Sequence, residues 1–247
     1  MDTKSKIRMM EFLEWVKGKL YFLRPLLRPF YVWLIAGRQS SMRKEVFLNN
    51  AREVLSTFNT AMNEAGLNYT LAFGTLLGAV REKGFIKHDA DIDTAMWAED
   101  YGPEIDAALT KKGFKLVHRY TVDGGASARE ETYALNGVTV DIFYFYPAID
   151  QYPYCCDFLN HEGKESLKDS MKRYSDTMVA RRIQLPLSKD IQLTEFEGLM
   201  LPVPVNSTEI LIFRYGPDYM TPVKNWSMEN SYNKYITVWE GKKVEAL

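Results

Sequence analysis

Cysteine is nearly absent from this chain: Cys155 and Cys156 are the only two, and they are adjacent. A bridge between neighbours closes a strained eight-membered ring, so no disulfide framework is expected. With only three scattered histidines beside them, the pair makes no zinc site, and both cysteines are expected as small buried side chains. Long apolar runs are missing too. Residues 8–37 are rich in large apolar and aromatic groups, yet Arg24 and Arg28 interrupt them and Pro25 and Pro29 would break a long helix. The longest charge-free stretch there, Pro29–Gly37, falls well short of the roughly 20 residues a membrane span needs. No small-residue cleavage site of the signal-peptide kind follows it. Net charge is small as well, −1 over 247 residues, which argues against a nucleic-acid binder. There is no internal repeat and no low-complexity tract.

What is present describes a folded globule. A hydrophobic fraction of 46% against 26% charged residues supports a proper core, not a disordered chain. Charge is unevenly placed: residues 1–50 carry +6 and the remainder −7. We therefore divide the chain into a basic, aromatic N-terminal extension, residues 1–43, and a body, residues 44–247. The extension suits either a peripheral contact with an anionic membrane or a helix capping the core.

Within the body, Lys44–Ala65 has apolar positions at helical spacing and ends at Gly66. Asn68–Phe73 reads as a strand, Glu99–Lys112 as a helix and Phe114–Thr121 as a strand closed by the turn Asp123–Gly125. Glu130–Leu135 and Val138–Tyr146 form a hairpin across Asn136-Gly137. Leu199–Val205 reads as a strand with edge prolines, followed by a helix, Thr208–Arg214, capped by Asn206 or Ser207 and stopped at Gly216. Residues 147–195 are the least legible. Their basic group, Lys168, Lys172, Arg173, Arg181 and Arg182, is read as a solvated helix face or as receptors for phosphate.

The chemistry concentrates in Gly74–Trp97. A Gly-Thr turn opens a short helical segment with Arg81 near its end, Lys83-Gly84 breaks it, and Asp89, Asp91 and Asp93 follow at alternate positions. Period two is the side-chain period of a strand, so the three carboxylates are expected to leave one face together. Stacked like charges need cations, and hard oxygen ligands at this spacing suit Mg²⁺ or Mn²⁺. Asp141 stands alone in an otherwise apolar strand, where an unpaired carboxylate is costly. A strand beside the acidic one would bring it to the same metals.

The ordered set Gly74-Thr75-Leu76-Leu77-Gly78-Ala79-Val80-Arg81, Lys83-Gly84-Phe85-Ile86 and Asp89-x-Asp91-Ile92-Asp93 resembles the LicD family, which includes fukutin-like proteins. The Asp141 strand and the run Pro202-x-Pro204, Leu211, Tyr215-Gly216, Tyr219-Met220 and Pro222 are similar to that family in the same order. The resemblance implies an α+β fold: a mixed sheet flanked by helices, like the nucleotidyltransferases of the DNA polymerase beta type. It implies a transferase that moves an alcohol phosphate, such as phosphocholine or ribitol phosphate, from a CDP-activated donor to a glycan or glycolipid hydroxyl, releasing CMP. Lipopolysaccharide, capsule or teichoic acid modification would be the setting. By the same resemblance the Gly-Ser-like turn falls on Gly74-Thr75, the Asp-x-Asp pair on Asp91 and Asp93, and the third acid on Asp141. The family commonly has Trp-Asp-Asp-Asp where this chain has His88-Asp89-Ala90-Asp91. His88 is then expected to shape the substrate pocket.

Physical chemistry supports such a transfer independently. A pyrophosphate-linked donor needs charge neutralisation and alignment above all. Asp91, Asp93 and Asp141, with Asp89 as a further candidate, would hold Mg²⁺ or Mn²⁺, and N–H groups of Gly74, Thr75 and Leu76 at a helix start would receive phosphate. Arg81 either steadies the leaving CMP or pairs with Glu82 or Asp89. The expected location is cytoplasmic, peripheral to the inner face of the cell membrane. Two other functions use the same features: a nucleotidyltransferase adding NMP to a small molecule or protein, and a non-catalytic membrane-associated scaffold.

Overall fold

The computed structural model describes residues 4–9, 12, 37–87, 89–160, 178–223, 236–239 and 243–246. His88, the basic residues Lys168, Lys172 and Arg173, and most of the N-terminal extension lie outside these. Helix α1, Gly37–Glu64, covers the predicted helix up to Glu64, one residue short of its expected end, and begins earlier. Its stripe of Phe47, Ala51, Val54, Leu55, Phe58 and Met62 is fully buried, as the spacing foretold. The end is a Schellman turn: Gly66 has φ +67°, and the Leu67 N–H bonds Met62 O at 2.9 Å. Residues 4–9 are helical and touch this body, with Lys6 paired to Glu45 and Ile7 near the Asn136-Gly137 turn.

Strand β1, Thr70–Leu71, leads directly into α2, Phe73–Arg81. Then come β2, Ile92–Trp97, and α3, Pro103–Lys111. The predicted helix from Glu99 starts later because Pro103 takes its first turn; a residue before proline is pushed away from helical angles, and Gly102 is extended at φ −157°. Strands β3 (Lys115–Val122), β4 (Ala128–Leu135) and β5 (Val138–Phe145) follow. The β4–β5 turn is the one read from Asn136-Gly137, whose φ angles are 51° and 78°.

These strands form a six-stranded sheet, β1-β2-β5-β4-β3 with β11 (Val244–Ala246) at its edge. Only β2 and β5 are parallel. The architecture is therefore mixed α+β, a mixed sheet flanked by helices. One face carries Ile142, Tyr144, Glu131 and Tyr133 toward α1 and α3. The other carries Asp93, Asp141, Thr132, Phe143 and Glu130 toward β6 (Tyr154–Asn160). With β7 (Met178–Gln184) and β10 (Ile236–Trp239), β6 makes a three-stranded antiparallel sheet that sequence reading missed. Cys155 and Cys156 are buried on it as free thiols, as expected. The body is completed by a hairpin, β8 (Ile191–Phe196) and β9 (Leu199–Pro204), and by helix α4, Ser207–Tyr215. The prolines of β9 lie in a two-stranded sheet, where a missing N–H is tolerated.

One expectation needs correcting. Asp89, Asp91 and Asp93 do not share a strand, because β2 begins at Ile92. The chain before it folds back on itself: the Asp89 N–H bonds Ile86 O at 2.9 Å, and its carboxylate accepts the Ile86 N–H at 3.2 Å. Those bonds satisfy the backbone locally, so the ladder with β5 starts only at Ile92.

Candidate functional site

The acids nevertheless converge. In the parallel β2–β5 pair Asp93 stands directly opposite Asp141, and Asp91 reaches in from the preceding loop. One carboxylate oxygen of each lies within 4.8 Å of the others. The start of α2 fixes this arrangement from behind. The Gly74 N–H donates to Asp93 Oδ2 at 2.9 Å, and the Asp93 N–H donates to Thr75 Oγ1 at 2.9 Å. The Leu76 N–H is spent inside the helix, on Ala72 O. Gly74 is small for a reason, since a Cβ there would sit 3.3 Å from Asp93 Oδ2 and 3.4 Å from Asp89 Oδ1.

On β4, Thr132 faces Asp141 and donates its hydroxyl to Asp141 Oδ1 at 2.5 Å. Thr132 Oγ1 is also 2.7 Å from His118 Nε2 on β3. Nothing in the sequence singles out Thr132 or His118; only the sheet register brings them here.

Burial raises every carboxyl in the cluster. Asp93 is pushed well above the usual range, first by desolvation and then by Asp91 and Asp141, with the Gly74 N–H opposing. Asp141 rises to about 7, again through desolvation, with the Thr132 hydroxyl opposing. Asp89 rises to about 6 and Asp91 also rises, both chiefly by desolvation. Like charges this close favour protons or a cation, although Asp91 itself is exposed while Asp93 and Asp141 are half-buried. The donor set is all oxygen and carries up to three negative charges, a chemistry able to hold a hard divalent cation.

Two of these acids, Asp89 and Asp93, border a cavity of about 890 Å³. Gly74, Asp157 and Arg214 line it as well. Its apolar walls include Phe73, whose ring packs edge-on against Phe143 at 4.7 Å and lies under the Arg214 guanidinium at 4.6 Å. Arg81 makes the ion pair with Glu82 that one of its readings expected. It lines the cavity, and its guanidinium bonds Glu82 at 2.6 and 3.0 Å and Tyr219 O at 3.4 Å. Arg181 holds Asp157 through two bonds, of 3.0 and 2.5 Å. Neither Arg214 nor Asp157 was singled out beforehand, because an Arg in a helix and an Asp in an unrecognised strand look like ordinary surface charge.

Residues 66–206 match the family described as LicD/FKTN/FKRP, nucleotidyltransferase domain. The chain is 26% identical over 187 residues to Ribitol-5-phosphate transferase FKTN of Mus musculus, covering 75% of this chain and 36% of that protein. It is 59% identical over 68 residues to the uncharacterized protein T07A5.1 of Caenorhabditis elegans, 27% of this chain and 16% of the relative. A third match is to the lipopolysaccharide cholinephosphotransferase LicD of Haemophilus influenzae, 40% identical over 53 residues, 22% of this chain and 20% of the relative. The chain thus spans about a third of the length of the FKTN proteins it matches.

Proposed function

The chain belongs to the LicD/FKTN/FKRP family, and on that premise we propose that it is a phosphotransferase, moving an alcohol phosphate from a CDP-activated donor to a glycan hydroxyl. The observation that carries this is the convergence of Asp91, Asp93 and Asp141 beside a cavity large enough for a nucleotide-linked donor. Relatives named for ribitol-5-phosphate and phosphocholine transfer support the class of group moved.

The reaction joins the acceptor oxygen to the phosphorus that carries the alcohol, and breaks that phosphorus's bond to the bridging oxygen, which leaves with CMP. The acceptor hydroxyl gives up its proton. Such a displacement is governed by positioning and charge neutralisation. Asp91, Asp93 and Asp141 would hold Mg²⁺ or Mn²⁺, with Asp89 adjacent. When bound, the cation neutralises the diphosphate and lowers the pKa of the acceptor hydroxyl. Gly74 and Thr75 hold the Asp93 carboxylate and backbone in register. Arg81 and Arg214, both at the cavity wall, supply positive charge for the phosphates, and the cavity's aromatic walls exclude water. His88, next to Asp89, would shape the substrate pocket.

A nucleotidyltransferase-like catalytic body at residues 44–247 would carry this reaction, and the basic, aromatic extension at 1–43 would meet an anionic membrane from the cytoplasmic side. Among the described residues no helix is long and apolar enough to cross a membrane. The test is incubation with CDP-choline, CDP-ribitol or CDP-glycerol, with candidate glycans, under Mg²⁺ or Mn²⁺. CMP release that depends on both cation and glycan is expected. Pyrophosphate release from a nucleoside triphosphate instead would make the protein a nucleotidyltransferase.

A further inference from the structure

Asp141 does not stand alone on β5; it ends a row of side chains that crosses three strands. Thr132 is its direct partner on β4, and His118 is the partner of Thr132 on β3. Direct cross-strand partners leave the same face of a sheet. The contacts follow that row: His118 Nε2 to Thr132 Oγ1 at 2.7 Å, then Thr132 Oγ1 to Asp141 Oδ1 at 2.5 Å.

A local irregularity makes the row possible. Leu116 pairs with Tyr133, so regular pairing would set Val117 against Thr132. The register instead shifts between Leu116 and His118, and His118 takes that place. One extra residue in β3 turns an imidazole, not a valine, toward Thr132; re-aiming a side chain is a usual effect of a bulge. The ring is held flat by stacking on Tyr120, with centroids 4.5 Å apart and planes 30° apart.

The direction of the bonds follows from valence. A threonine hydroxyl has one hydrogen, and here it goes to Asp141 Oδ1. Toward His118 the same oxygen is an acceptor, so Nε2 carries the hydrogen. Both the neutral Nε2–H tautomer and the imidazolium meet that requirement, so the row works whatever the charge of the ring. Its effect is to commit Oδ1 of Asp141 to Thr132 and so fix the orientation of the carboxylate beside Asp91 and Asp93.

We propose that His118 is a positioning residue for the acidic centre, acting on Asp141 through Thr132 along the row that the β3 bulge creates. The proposal rests on the reading of Asp91, Asp93 and Asp141 as a divalent-cation site. Hydrogen-bonding groups behind metal ligands typically change metal affinity by roughly 10- to 100-fold when removed.

The experiment measures Mn²⁺ affinity of the full chain by electron paramagnetic resonance, with a thermal melt of each metal-free variant. His118→Leu and Thr132→Val, which keep the volume but remove the donors, are expected to weaken Mn²⁺ binding by about 10-fold or more. The double variant should be no worse than Thr132→Val alone, since both act through one bond. His118→Gln, which can place an N–H near the Nε2 position, should recover most of the affinity. If His118→Leu lowers the melt but Thr132→Val and His118→Gln behave as expected, the proposal stands on those two. Wild-type affinity in Thr132→Val, fully additive losses in the double variant, or a His118→Gln protein as weak as His118→Leu overturns it. A wild-type chain that takes up no Mn²⁺ overturns the cation reading along with it.

Discussion

Asp93 and Asp141 are direct partners in the parallel pair of β2 and β5, so two acids from distant parts of the chain are pinned on one face of the sheet. Without a cation that pairing is electrostatically unfavourable, which makes each acid expendable for folding and necessary for the reaction. Asp93→Asn and Asp141→Asn should each reduce turnover by about 100-fold or more, on the scale of losing a key transition-state contact. Their metal-free melts at pH 8 should be no lower than that of the wild type. Near-normal turnover in both variants would remove the basis for the proposed site.

The same burial sets a pH dependence. Asp141 titrates near 7 in the folded chain, against an ordinary 3.8, and Asp93 moves in the same direction. A raised folded-state value contributes stability at low pH that is lost as pH climbs through it. The metal-free protein should therefore lose stability between about pH 4 and 7 through Asp141, and Asp93 contributes with the same sign. Cation binding must displace those protons, so its stabilisation should grow over the same interval. Melts in EDTA and in Mn²⁺ at pH 5 and pH 8 read both trends, and a Mn²⁺ effect larger at pH 5 would contradict the assignment.

Two glycines in α2 should respond differently to a methyl group. At Gly74 a Cβ meets only carboxylate oxygens, at 3.3 and 3.4 Å. Gly74→Ala should fold normally and bind Mn²⁺ about 10-fold more weakly, because Asp93 has to give way. At Gly78 a Cβ would lie 2.5 Å from the carbonyl oxygen of Gly84, which is backbone. Gly78→Ala should lose about 1–3 kcal/mol of stability, the usual cost of overpacking. Urea titrations of the two variants separate these outcomes.

Glu131 is a prediction about stability alone. It is fully buried on the face of the sheet away from the acids, bonded by Arg119 and by the hydroxyls of Tyr133 and Tyr144, and paired with Arg129. Glu131→Leu strands two guanidinium groups, and removing one partner from a buried ionic network costs about 3–5 kcal/mol. Denaturant unfolding should show that loss while Mn²⁺ affinity in the folded variant stays within about twofold of wild type, the usual tolerance for distant, independent sites. A large change in affinity would mean that the two faces are coupled.

Much of this was legible in the sequence because it was local. Helix α1 announced itself by its apolar spacing and Gly66, and the β4–β5 turn by Asn136-Gly137. The grouping of Asp91, Asp93 and Asp141 could be read because three acids stood in apolar company. The strand drawn through Asp89 was wrong since alternation alone does not reveal that Asp89 closes a turn on Ile86. The β6-β7-β10 sheet was hidden because Cys155, Asp157, Arg181 and Arg182 show no clean alternation. His118 and Thr132 depend on a one-residue slip in β3, and Arg214 on which side of α4 faces the cavity. Such facts belong to register and packing.

The parallel pairing of β2 and β5 also imposes an order in time. A ribosome delivers Asp91 and Asp93 first, then α3, β3 and β4, and only afterwards Asp141. Long-range pairings form late, after local hairpins such as β4–β5 become possible. The nascent chain therefore exposes two bare carboxylates with no third to close a cation site around them. Full cation capture has to wait for β5 to dock, so an occupied site would mark a chain whose central sheet is already built.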